Sequence, residues 1–463
     1  MSLQTYLDQN GYKLVKSIFC FLTFMGLGGV CTLLGSSLLD IQISIQQDFV
    51  TTSKLIPVRS IGYITGGIFS AFLEKFSNIN VIMALTNFTG GLFLIFAPWF
   101  TSIYLVACFI YLSGISQGLF DIYSNVYIIK IWGKDSTNYL QIHHMFFGVG
   151  ALIIPLVTRP FLLPFQRDED QIIQGRSINI NITSSATKLP FGGFTPDDVT
   201  IQYPYLINGI FLCLVSIGFI VFYFKDKQIP SNDCKSVNNT VSGNIDSPGC
   251  SNAASGDNGS SQDNVDKPWK KYVAIIPMML IANIAFGFTT TVGSLGPSFA
   301  VKSPIAMTKK TAALLITVFW TMFCFYRIIF IPLSSYFSHR RLMLFNLLLI
   351  LISVGLMISK AAYDPYFTWA SFILLGTGYS PTFSVSFALL QQYFPISGRL
   401  ASFIFMNGCI GESIHPWLVA KFMEGWPEFF VYYLGGMCIV YVILNFSLPH
   451  LCNLIFKRRT TNQ

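Results

Sequence analysis

The sequence predicts an all-α polytopic membrane protein: twelve transmembrane helices arranged as two six-helix, pseudo-symmetric halves. Three observations lead there. The chain has 463 residues, of which 52% are hydrophobic and only 11% charged, against about 25% charged residues in a soluble domain; its mean hydropathy is +0.57. Apolar runs of about 20 residues, the length of a bilayer-spanning helix, recur from end to end. A stretch over 225–270, rich in Ser, Asn, Gly and Asp and with almost nothing to bury, divides these runs six and six.

The spans are placed at 15–39, 55–76, 79–98, 103–131, 141–163, 203–224, 272–298, 311–337, 341–359, 366–393, 399–422 and 428–450. Only short polar links separate spans 2 and 3 and spans 8 and 9. Continuous apolar runs of this length exclude barrel strands, which alternate over about ten residues. The first run is too long for a signal-peptide core, and its polar lead holds Lys13 and Lys16, so it is read as span 1 with the N-terminus cytoplasmic. Lys and Arg then gather on the cytoplasmic side, which also receives the C-terminus. This bias accounts for the net charge of +8 and gives no reason to invoke nucleic acid. None of the ten cysteines falls in an outer loop, so no disulfide framework is expected. The organisation is therefore 1–224 as one half, 225–270 as a disordered cytoplasmic linker and 271–463 as the other half.

The halves also repeat. LGSSL at 34–38 parallels LGPSF at 295–299, GISQG at 114–118 parallels GTGYS at 376–380, and GALIIP at 150–155 parallels GESIHP at 411–416. The three pairs keep nearly one separation along the chain and fall on spans 1/7, 4/10 and 5/11. Six spans repeated in the same orientation is an arrangement found in transporters. On these features the chain resembles the major facilitator superfamily over both halves. The superfamily's loop between spans 2 and 3 usually reads G-x-x-x-D-R-x-G-R. Here it is SAFLEKFSN at 70–78, with Ser70, Glu74 and Lys75 in place of Gly, Asp and Arg, and PLSSYFSHR at 332–340 keeps only Arg340.

A narrower resemblance rests on L-G-x-[ST] in spans 1 and 7, on VRSIGYITGG at 58–67, and on Asp121, Asn125, Trp132 and Gly133 following Gly114 and Gly118. These are similar to the sodium-dependent glucose transporter-like branch, of the major facilitator superfamily domain-containing protein 4 type. The resemblance implies a hexose such as glucose as solute, sodium as the coupled ion and the plasma membrane as residence, with an intracellular membrane left open. Two departures stand out. Ser36 replaces the branch's proline, which Pro297 keeps in span 7. Span 7 also has no carboxylate through IANIAFGFTTTVGS, which argues against cation coupling there.

Polar residues inside spans are costly and mark function by default. Gly114, Gly118, Asp121, Asn125 and Trp132 share one helical face, where the glycines admit a neighbouring helix. Asp121 either pairs with a basic residue, Arg327 of span 8 being a candidate, or contacts solute or ion. Arg59 near the outer end of span 2 and Glu412 in span 11 are read as a charge contact between the halves, with His415 one turn further out; alternatively Arg59 snorkels to the headgroups. Gly62, Gly66 and Ser70 form a small-residue stripe for packing. His143 and His144 are read as a solvated helix start at the cytoplasmic surface. Gln117, Asn283 and Asn407 are candidates to hydrogen-bond a hydroxylated solute or to satisfy neighbouring backbone. Asn181, in the sequon Asn181-Ile182-Thr183, lies in the long outer loop between spans 5 and 6 and is the glycosylation candidate.

The expected function is a secondary active or facilitative transporter of a small polar solute, working by alternating access in a lipid bilayer as a monomer. No G-x-x-x-x-G-K-[ST] loop is present, so ATP is not the energy source. No zinc-binding H-E-x-x-H and no metal-ligand spacing occur, so neither an enzyme nor a resident cofactor is expected. The alternatives are a transporter of a different small organic solute, or a non-transporting sensor or scaffold on the same fold.

Overall fold

The structure is a computed structural model, and it describes residues 3–73, 77–133, 136–164, 193–228, 268–394 and 398–456. Among these the regular structure is helical, with no strand. The first half holds α1 (Leu3–Ile45), a short α2 (Phe49–Ser53), α3 (Leu55–Leu73), α4 (Ile79–Phe96), α5 (Ile103–Trp132), α6 (Ser136–Thr158) and α7 (Gln202–Gln228). The second half holds α8 (Pro268–Lys302), α9 (Lys309–Tyr336), α10 (His339–Lys360), α11 (Pro365–Tyr379), α12 (Thr382–Gln391), α13 (Gly398–Met423) and α14 (Phe429–Phe456). Ten of these elements are long and apolar enough to cross a membrane; α11 and α12 together make one of them. The ten do not include α3 and α13, which carry Arg59 and Glu412 yet pack among the spanning helices. The chain is an integral, multi-pass membrane protein.

The expected spans are recovered with two differences. First, α1 runs on to Ile45, so Asp40 lies inside a helix rather than beyond it. Second, span 10 is interrupted at Ser380–Pro381. Pro381 has no N–H to continue the hydrogen-bond ladder, so α11 stops and α12 restarts. The short links split as expected: the Asn78 side chain accepts from the Asn80 N–H at 2.8 Å and opens α4.

The two halves repeat in packing as well as in sequence. In the first, α1 packs on α6, α3 on α5, and α4 on both α5 and α7; in the second, α8 packs on α13, α9 on α11, and α10 on both α11 and α14. Lipid gives apolar helices no hydrophobic reason to associate, so small residues that let backbones approach do much of the holding. At the α1–α6 crossing, a Cβ on Gly28 would lie 1.8 Å from the Phe147 carbonyl oxygen, and one on Gly150 1.8 Å from that of Met25. The halves meet through α1 with α8, α6 with α9, and α3 with α13. At the first of these, Gly35 of the LGSSL repeat sits against the Gly293–Ser294 backbone, just before its LGPSF counterpart.

One surface expectation is corrected. His143 does not lie in a solvated helix start. Helix α6 begins at Ser136, and His143 is fully buried, its ring 3.6 Å from that of Phe24 and its Nε2 3.1 Å from Ser124 Oγ. His144 remains exposed. A pair of adjacent histidines looks solvated in sequence, but successive residues point about 100° apart on a helix, so one can be core and the other not.

These contacts predict that Gly150→Ala forces α1 and α6 apart and lowers the melting temperature of the detergent-purified protein, a loss of about 1–3 kcal/mol. The same change at Gly436, where a Cβ would meet nothing within 4 Å, leaves the melting temperature unchanged or slightly raised.

Candidate functional site between the halves

Arg59 is the hub. Residues four apart on α3, Arg59 and Tyr63, face residues four apart on α5, Gln117 and Asp121, as two rungs of one ladder. Arg59 Nη1 donates to Gln117 Oε1 at 3.0 Å, and the Tyr63 hydroxyl donates to Asp121 Oδ2. The helices come this close because a Cβ on Gly114 would lie 2.4 Å from the Arg59 carbonyl oxygen, and one on Gly118 2.1 Å from that of Tyr63. Gly62 and Gly66 answer from the other side, against the carbonyls of Tyr111 and Ile115. The motif glycines thus position the polar rungs.

The guanidinium reaches further. Its Nη1 also lies 3.4 Å from Cys31 Sγ of α1, and Nη2 stands 3.7 Å from Glu412 Oε2 of α13. Arg59 is 3% exposed, so it does not snorkel to headgroups. It joins three helices of its own half to one of the other. Beside it, Ser113, Gln117 and Tyr205 help line a cavity of about 10 Å³, close to the smallest space that holds one water.

Asp121 is half buried and takes two hydrogen bonds, from Tyr63 and from Asn125 Nδ2 at 3.0 Å. The suggested Asp121–Arg327 pair does not form. Arg327 donates instead to the Ser380 carbonyl at 3.2 and 3.4 Å and lies over the Phe323 ring at 4.8 Å. It therefore satisfies a carbonyl at the C-terminal end of α11, where a cation is favoured. Similar depth in the sequence did not reveal that the break in span 10 offers Arg327 a nearer acceptor.

Asn283 and Asn407 fasten α8 to α13. Asn283 Nδ2 donates to the Asn407 carbonyl at 2.8 Å, and Asn407 Nδ2 donates to that of Met279 at 2.7 Å. His415 sits in the same seam, with Nε2 2.9 Å from Asn283 Oδ1 and Nδ1 2.7 Å from the Tyr433 hydroxyl, rather than at Arg59. The Trp132-Gly133 pair ends α5: Trp132 Nε1 donates to Ser17 Oγ at 2.7 Å, its ring stacks on Tyr139 at 3.7 Å, and Gly133 takes φ +53° to stop the helix. The letters GISQG match a serine-hydrolase elbow, but that device needs a strand-to-helix turn. Here the run lies within continuous α5, and Ser116 is engaged with Leu112 and Thr89.

A second pair between the halves escaped the sequence reading. Asp40 of α1, 0% exposed, pairs with Lys309 at the start of α9, 5% exposed. Both fall just outside an expected span, where charges are unremarkable. On the same end of the bundle Lys302 lies 3.7 Å over the Phe49 ring and 2.8 Å from Glu424. At the opposite end, Asp226 gathers Tyr12, Lys16 and Asn80 within the first half at 2.7–2.9 Å. Glu74, Lys75 and Asn181 lie outside the described residues. The eight cysteines among the described residues are free, and no group of three metal-binding side chains occurs among them.

Two pseudo-symmetric helical halves meeting over buried charges define a membrane transporter rather than an enzyme. The family model described as Major Facilitator Superfamily matches residues 180–416, just over half the chain. The chain belongs to that superfamily. It is 22% identical over 412 residues to sodium-dependent glucose transporter 1 of Homo sapiens, covering 88% of this chain and 73% of the relative. It is 24% identical over 459 residues to major facilitator superfamily domain-containing protein 4A of Danio rerio, covering 91% and 85%. Among solved structures, the xylose transporter XylE from E. coli, in a partially occluded inward open conformation, superposes with a TM-score of 0.63 at 13% identity, covering 98% of this chain and 99% of that one.

Removing one member of a buried ion pair strands the other charge. Asp40→Ala and Lys309→Ala should each cost about 3–5 kcal/mol, read as a lower melting temperature. The double variant Asp40→Asn/Lys309→Gln should melt closer to the wild type than either single one.

Proposed function

We propose that the protein is a secondary transporter that moves a small polar solute by alternating access, with a hexose as the first candidate. The observation that carries this reading is the contact of buried Arg59 with half-buried Glu412, which spans the two halves beside the Tyr63–Asp121–Asn125 cluster. A charge contact between halves can break and re-form as they rock, whereas an apolar seam of the same area has no hydrated alternative. The hexose is supported by the names of the low-identity relatives and by the polar rungs on α3 and α5. With both termini and the 225–270 linker in the cytoplasm, the Asp40–Lys309 and Arg59–Glu412 pairs close the outer side. Sodium is the candidate coupled ion. Asp121 and Glu412 are the carboxylates it would meet, since α8 offers none over 281–294. The plasma membrane is the proposed residence.

The test is uptake of labelled hexose into proteoliposomes, with and without a sodium gradient. Saturable uptake that the gradient stimulates is expected. Arg59→Glu and Glu412→Arg should each reduce it at least about tenfold, the effect of losing a contact worth roughly 1.4 kcal/mol or more. The double swap should recover part of the loss. Sodium-independent uptake would make the protein a facilitator. No saturable flux from protein shown to be folded would overturn the hexose reading.

A further inference from the structure

We infer that Trp320 is a solute-binding residue, its indole N–H donating to an acceptor oxygen of the solute where the two halves meet; this rests on the transport reading above. The first observation is a buried donor with nothing to receive it. Trp320, in α9 of the second half, is 4% exposed, and its Nε1 has no hydrogen-bond partner among the described residues. A buried N–H without an acceptor is costly, so one that is kept calls for a reason. The packing around it does not need an indole. Phe319, Phe323 and, from the first half, Phe147 surround the ring with centres 5.2–5.9 Å away. A phenylalanine would join them without stranding a donor.

The second observation is the place where Nε1 lies. A Cβ on Gly293 of α8 would stand 3.8 Å from Trp320 Nε1 and 3.8 Å from Thr32 Cγ2 of α1, so a methyl-sized space separates these atoms. This is the crossing of α1 and α8, where Gly35 meets the Gly293–Ser294 backbone. Thr32 turns its hydroxyl back to the Gly28 and Gly29 carbonyls and its methyl toward this space. The indole is thus covered by Thr32 and Phe147, first-half groups that withdraw when the halves part. Asn87, Asn346 and Tyr441 also hold unpartnered atoms, but on α4, α10 and α14, which pack within their own half. A donor presented at the boundary selects for an acceptor. A sugar hydroxyl or ring oxygen supplies one, and aromatic walls with one fixed polar group are the usual form of a small-molecule site. An ammonium or a metal cation has no acceptor to offer.

The experiment is equilibrium binding of labelled glucose and its monodeoxy and monofluoro analogues to the purified full chain in lipid nanodiscs. Trp320 is replaced by its isostere benzothienylalanine, which has sulfur in place of N–H, with Trp320→Phe as the second variant. Each should bind glucose roughly fivefold less tightly. The isostere strands no donor, so its melting temperature should equal or exceed that of the wild type. In the wild type one deoxy analogue should lose the same factor, and the fluoro analogue at that carbon, which keeps a weak acceptor, should lose less. In the isostere variant that deoxy analogue and glucose should bind alike. Unchanged glucose affinity in a folded variant would overturn the role of Trp320 while leaving the hexose reading intact. An equal loss for every analogue would mark a packing effect and overturn that role too. No binding of glucose or any analogue by the folded wild type would overturn both.

Discussion

A charge buried in a bilayer is costly without a partner, and for Asp40 and Arg59 the charged partner comes from the other half. Asp40 meets Lys309 and Arg59 meets Glu412, each pair linking a first-half helix to a second-half helix. Removing either member would strand a charge at a cost of several kcal/mol. The register of the two halves therefore follows from these contacts: α1 must present Asp40 to the start of α9, and α3 must present Arg59 to α13. The glycine-lined crossings of α1 with α6 and of α3 with α5 supply the rigid frame that aims these side chains.

The seams within and between halves differ in kind. Inside each half, helices are joined by backbone approaching backbone, as at Gly28 and Gly150, or by reciprocal amide bonds, as between Asn283 and Asn407. Such contacts have no competing arrangement, because water offers nothing to a glycine seam. Between halves there is one such backbone approach, Gly35 against Gly293–Ser294, but ion pairs are added to it, and these lose less when they separate into water. The first kind makes a body, and the second makes a boundary that can open. Arg327 fits the same logic: bound to the Ser380 carbonyl, it stabilises the interruption in span 10 from within its own half.

The sequence was legible where a signal is local and periodic. The helical spans and the shared face of Gly114, Gly118, Asp121 and Asn125 follow from hydropathy and helical spacing, and they reappear in α1–α14. The Arg59–Glu412 proximity was legible because both residues sit inside apolar runs, where an ion needs a reason. Asp40 and Lys309 were not, because each falls at a span's edge, and only the opposing half shows that both edges are buried. His143 was missed for a related reason: the residues that bury it, Phe24 and Ser124, lie on other helices. Tyr63, the partner of Asp121, carried a usable signal in its position one turn after Arg59 on the same face. What lay beyond reach depends on which helix faces which, information carried by packing rather than by composition.

Asp40–Lys309 and Arg59–Glu412 should together hold the two halves closed at the end of the bundle bearing the α1–α2 and α8–α9 links. The most direct test is the distance distribution between nitroxide labels at Gln47 and Lys310, both exposed at that end, on a chain cleared of its native cysteines and placed in lipid. Breaking both pairs, with Asp40→Asn and Glu412→Gln together, should shift the population toward longer distances. An unchanged distribution in a folded double variant would contradict the claim and leave the halves held by apolar contact alone.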